Sequence, residues 1–192
     1  MIESRVCKLS MFMSLKLLKL RIRIFIWTFT GKIKKLQSRL ALTLSQGDPK
    51  KILIIFPVDE PSFRVASYVF RDLGKNNVQK KEFIFIVKEQ YKELFHLRIG
   101  DLIFISHEDN DLILSQEKKL MRTLKINKFD IIVDLNPVFQ LSIARLISLL
   151  TSEMKVGFTS DFSDNFFNIQ LDISKSGIME KGFNQVNWIL AQ

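Results

Sequence analysis

Five polar residues stand where apolar runs end, the place where an α/β sheet does chemistry. Asp59 and Glu60 follow the run Ile52-Leu53-Ile54-Ile55-Phe56, between Pro57 and Pro61, and Ser62 opens the helical pattern behind them. Asp134 closes a second apolar run, and Asn136 follows it. A carboxylate in such a loop can take a proton from a substrate hydroxyl or join a metal site. Adjacent loop acids equally suit simple solvation. Asp134 is open to two roles, orienting a substrate hydroxyl or capping the next helix. Ser62 cannot act as a base near neutral pH without a partner.

Other chemistry is sparse. His96 and His107 lie eleven residues apart with no cysteine nearby, so a compact metal site would need carboxylates from elsewhere, and none is expected. His107-Glu108-Asp109 reads as a solvated loop. The single cysteine, Cys7, excludes an intrachain disulfide and a structural zinc cluster. Neither the dinucleotide-binding glycine fingerprint nor the P-loop pattern occurs. The chain is therefore expected to hold no nucleotide or other cofactor by itself.

The elements that must position these residues alternate. Short apolar runs at 52–56, 83–87, 102–105, 129–134 and 154–158 read as buried strands. Helical patterns fill the intervals at 62–73, 89–97, 112–124 and 138–150, and a short strand at 166–171 and a helix at 177–190 close the chain. Strands separated by helix-length segments predict parallel pairing with right-handed crossovers. The expected body, residues 50–192, is one Rossmann-like open parallel sheet with helices on both faces. Ligands of such sheets bind beyond the carboxyl ends of the strands. That directs attention to 56–62, the segment after Val87, 106–111 and 134–137.

Ahead of the body stands a basic arm, residues 1–46. Residues 1–50 carry eleven Lys/Arg and two acids, whereas 51–192 carry eighteen of each. The whole net charge of +9 thus belongs to the arm, and its partner is expected to be anionic. Leu15, Leu18, Ile22, Phe25, Phe29, Ile33, Leu36 and Leu40 recur at three- and four-residue steps, a helical stripe. Lys16, Lys19, Arg23 and Lys34 flank it, with Trp27 expected at headgroup level on an anionic membrane surface. The longest uncharged run, Ile24–Gly31, is far below the ~20 apolar residues of a membrane span. The arm is expected to lie on the inner face of the plasma membrane, leaving the protein peripheral and cytoplasmic. Packing on the body or on a second copy is the alternative, and the alternation at 19–27 would also suit a strand. The neutral body argues against nucleic acid.

Three segments carry a resemblance. They are Lys50-Lys51-Ile52-Leu53-Ile54-Ile55 after a basic apolar helix, the block 129–158 with its strand ending Asp134-Leu135 and its closing Gly157-Phe158, and the short strand Phe166–Leu171. Together they resemble the amino-terminal half of glycosyltransferase family 9, the heptosyltransferase-like enzymes of lipopolysaccharide core assembly. The resemblance implies a half that receives a glycolipid acceptor, with Ser62, Asp134 and Asn136 near it. A separate donor-binding domain or paralogue would hold the nucleotide-sugar, and the chain stops about where the family's interdomain connection begins. The family carries Arg, a spacer and Gly-Asp at the first helix, the Asp being its proposed base. Aligned without gaps, those places hold Phe56 and Pro61-Ser62. Asp59 or Glu60 would have to serve instead. The alternative implied is a non-catalytic, membrane-associated binding or scaffold module that keeps the fold.

Overall fold

The computed structural model describes residues 3–34, 36, 51–73, 81–97, 99–106, 112–125, 128–174 and 177–191. It divides into two units, Met1–Lys35 and Leu36–Gln192.

The second unit is built on six parallel strands: β1 (Lys51–Ile55), β2 (Glu82–Lys88), β3 (Asp101–Ile105), β4 (Phe129–Asp134), β5 (Ser152–Phe158) and β6 (Ile169–Leu171). Their order is β3-β2-β1-β4-β5-β6. Progression runs one way from β1 to β3 and the other way from β4 to β6, so the order reverses between β1 and β4. In open α/β sheets the point where strand order reverses is where the ligand crevice forms, beyond the carboxyl ends of the strands, and the loops leaving β1 and β4 flank that point here. In register, Ile55 pairs with Asp134, which places both loops at one level.

The core is apolar on both faces of the sheet, as near-continuous Ile/Val/Leu/Phe strands require. On one face Ile52, Ile54, Phe56, Phe83, Phe85, Ile131 and Val133 join a single cluster with Phe63, Ala66 and Phe70 of α2 (Glu60–Phe70) and Phe183 and Val186 of α5 (Met179–Ala191). Leu53, Ile55, Ile84, Ile86 and Ile132 point the other way by strand alternation and are also buried. The packed pair α3 (Leu112–Lys125) and α4 (Leu141–Leu149) contributes buried Leu120, Leu124, Ile143 and Ile147. The expected Rossmann-like α/β architecture is therefore present.

Two expected helices come out shorter. The helix expected at 89–97 is a short 3-10 helix, Glu89–Leu94. The helix expected from Val138 begins at Leu141, because the segment before it is held in another conformation, with the Asn136 backbone N–H and amide bonded to Asp134 and Phe139 against Phe162 and Phe166. Glycine matters at Gly100 before β3. It has φ +74°, and a Cβ there would stand 2.4 Å from the Phe83 carbonyl oxygen.

The first unit is one helix, α1 (Glu3–Phe29). It ends where Gly31 takes φ +68° and the Lys32 and Ile33 amides both donate to the Trp27 carbonyl at 2.8 and 3.1 Å, a left-handed glycine cap. Ile33 and Lys34 therefore leave the helix and the stripe expected of them. Leu40 lies outside the described residues. Within α1, Ile24 and Trp27 are buried, whereas Leu15, Leu18, Ile22, Phe25 and Phe29 are exposed.

Candidate functional site

The crevice between β1 and β4 is organised around one peptide, that of Val58. Its N–H donates to Asn136 Oδ1 at 2.9 Å, and its carbonyl accepts from the Tyr91 hydroxyl at 2.9 Å. Lys88 Nζ, 3.4 Å from the same carbonyl oxygen, also lies 5.2 Å from the Tyr91 ring centre. The loop after β1 is thus clamped from β4 on one side and from the end of β2 on the other.

Asn136 can do this because Asp134 orients it. Asp134 Oδ1 accepts from the Asn136 backbone N–H at 3.0 Å and from its Nδ2 at 2.6 Å, an Asx turn that leaves the amide oxygen facing Val58. Asp134 is 4% exposed. Burial pushes its carboxyl up to about 6 from an ordinary 3.8, while the two bonds from Asn136 pull it back down. A carboxylate shifted towards neutrality by burial is characteristic of functional clefts. Burial, then the charges of Glu60 and Asp59, push the Tyr91 hydroxyl up as well, so the two loop acids face Tyr91 electrostatically.

The two acids are exposed and have local duties. Asp59 is the N-cap of α2, its Oδ1 accepting from Ser62 N–H at 3.0 Å. Glu60 Oε1 accepts from Arg64 Nε at 2.9 Å and lies 2.7 Å from Nη2. An exposed i,i+4 pair of this kind contributes about 0.3–0.5 kcal/mol, too little to immobilise Glu60.

Ser62 differs from both. Four residues before the buried Ala66, it shares the inward face of α2, is 4% exposed, and its hydroxyl donates to Met179 Sδ at 3.3 Å. The position aligned with the family's acid thus holds a covered hydroxyl under α5. Asp134 and Asn136, each 4% exposed, likewise present little surface. Asp134 does not cap α4, whose N-cap is Gln140. Its role is to hold Asn136.

The structure therefore brings Asp59, Glu60, Asp134 and Asn136 to one crevice and turns Ser62 inward beside it. Lys88 and Tyr91 belong to the same network, which residue type and spacing alone do not reveal. The available signal was their position just after Val87, one of the strand ends marked as ligand-bearing. His107, Glu108 and Asp109 lie outside the described residues. Among the described residues no three His, Cys, Asp or Glu side chains gather to hold a metal ion. A shallow groove lined by Leu171, Lys181, Asn184, Gln185, Trp188 and Ile189 runs along α5 and shares no residue with this crevice.

Arg23 and Trp27 were expected at a membrane together with Lys16, Lys19 and Lys34. In α1 the Arg23 guanidinium stands 4.6 Å from the centre of the Trp27 ring, and Trp27 is 8% exposed. Lys16, Lys19 and Lys34 are exposed.

Comparison with solved structures identifies the fold. The chain superposes on Escherichia coli heptosyltransferase WaaC bound to ADP-2-deoxy-2-fluoro heptose with a TM-score of 0.56 at 15% identity, over 71% of this chain and 47% of that one. A glycosyltransferase family 9 protein from Veillonella parvula gives 0.60 at 14% identity, over 75% and 42%. The E. coli ADP-heptose lipopolysaccharide heptosyltransferase II gives 0.54 at 15%, over 71% and 40%. The chain thus spans less than half the length of these solved relatives. No family model matches the sequence, and no curated protein matches it. The Rossmann-like fold is that of the heptosyltransferases.

Proposed function

We propose that this domain is the acceptor-side half of a sugar transferase: the crevice between β1 and β4 receives a cell-envelope glycolipid of the lipopolysaccharide type at the inner face of the membrane. The nucleotide-sugar is held by a second Rossmann-like domain, supplied by further chain or by a partner. The observation that carries this reading is the clamped Val58 loop at the point where the strand order reverses, in a fold shared with heptosyltransferases over less than half their length.

The chemistry follows from the crevice. Transfer needs a base for the acceptor hydroxyl, and with Ser62 turned onto Met179 that task falls to Asp59 or Glu60. Asp59 has one carboxylate oxygen in the cap and a second available to a hydroxyl. Glu60 would have to release Arg64. The buried network behind them keeps the loop in place while the proton moves, which is where preorganisation assists catalysis.

A second reading is favoured by one observation, the covered hydroxyl of Ser62. It makes the domain a non-catalytic module that keeps the fold and binds glycolipid or an active paralogue. Calorimetric titration of the protein with a core-truncated lipopolysaccharide and, separately, with ADP tests the leading proposal. Saturable glycolipid binding without ADP binding is expected. Saturable ADP binding with no response to glycolipid would overturn the division of labour. Loss of sugar transfer in Asp59→Asn or Glu60→Gln, assayed with the donor domain present, would exclude the non-catalytic reading.

A further inference from the structure

Residues 15–29 of α1 carry an apolar stripe that nothing in the first unit covers. Leu15, Leu18, Ile22, Phe25 and Phe29 follow one another at steps of three and four and so lie on one side of the helix. Phe25 is 72% and Phe29 85% exposed. Two aromatic rings this open, continuous with Leu18 and Ile22 at about half exposure, form an exposed apolar patch of the kind that marks an interaction surface. Trp27, about half a turn away from both rings, lies off this stripe.

Charge selects the occupant. Between Leu15 and Lys34 there are six Lys/Arg and no acid. At 100° per residue Lys19 falls on one flank of the stripe and Arg21 on the other, and both are exposed. A second copy of α1 would bury the rings but bring cations to the seam with no acid on these turns to meet them. Nucleic acid would meet the cations and leave the rings in water. An anionic phospholipid surface satisfies both, with acyl chains under the rings and headgroup phosphates within reach of flexible basic side chains. No described helix is long and apolar enough to cross a membrane.

We infer that α1 lies flat on an anionic phospholipid surface through Leu15, Leu18, Ile22, Phe25 and Phe29, with Lys19 and Arg21 on its two flanks. Trp27 and Arg23 are not part of that contact. The inference is independent of the sugar-transfer reading, because it concerns a separate unit of the chain.

Co-sedimentation of the full chain with phosphatidylglycerol-containing vesicles, against pure phosphatidylcholine vesicles, tests it. The protein pellets with the anionic vesicles at low salt and binds neutral ones weakly. Phe25→Ser with Phe29→Ser lowers partitioning at least tenfold, and Lys19→Gln or Arg21→Gln lowers it about fivefold each on anionic vesicles only. All four positions are exposed, and unchanged far-ultraviolet circular dichroism checks that the variants fold. Partitioning unaffected by the phenylalanine substitutions would overturn the inference. So would a dimer, found by sedimentation velocity without lipid and abolished by those same substitutions, since it would make a second copy the occupant.

Discussion

At the scale of single residues, Asp134 is the most informative. Its carboxyl is buried and pushed up to about 6 from 3.8, so the folded protein binds this proton more tightly than the unfolded chain. The stabilisation that protonation confers is full below about pH 4 and is lost as pH rises to about 6. Asp134→Asn therefore leaves stability nearly unchanged at pH 4 and raises it above pH 6 by up to about 3 kcal/mol. Urea unfolding of both proteins across that range is the measurement, and parallel curves would refute the assignment. Asn136→Ala has the opposite sign: it strands the Val58 N–H and removes the Nδ2 donor from Asp134, leaving the backbone N–H of residue 136 as the donor in that turn. A loss of about 1–3 kcal/mol at neutral pH is expected by thermal or urea unfolding. Tyr91→Phe loses one bond to the Val58 carbonyl and costs about 1 kcal/mol.

Elements show what the sequence made legible and what it hid. Strands announced themselves because runs such as Ile52–Phe56 and Phe129–Asp134 have few other ways to bury every side chain. The helix expected after Val87 is a six-residue 3-10 helix, within which Tyr91 turns inward to Val58. Local pattern cannot report a partner 33 positions away. Gly31 stops α1 ahead of Ile33, a signal that was present in the sequence but outweighed by the regular spacing beyond it. The candidate loops were legible from strand ends. The clamp was not, since Asn136 and Val58 lie 78 residues apart. Gly157 in β5 carries the clearest packing prediction. A Cβ there would stand 2.7 Å from the Phe167 ring, so Gly157→Ala forces the ring to shift and costs about 1–3 kcal/mol. At about 2–4 °C per kcal/mol, a scanning calorimetry midpoint unchanged by the substitution would contradict this packing.

In the whole molecule, charge is divided unevenly along the chain. A helix with exposed rings and no acids between Leu15 and Lys34 precedes a body whose acids and bases balance. On the proposals above, the first finds an anionic surface and the second receives a glycolipid presented there. The central claim is that the crevice between β1 and β4 is where the glycolipid binds, and hydrogen–deuterium exchange of the full chain measures it most directly. Core-truncated lipopolysaccharide is compared with phospholipid vesicles of equal charge density. The account predicts glycolipid-specific protection in 56–62 and 134–140, while α1 is protected by both. Protection confined to the α5 groove around Trp188, or no difference between glycolipid and phospholipid in the two loops, would contradict it.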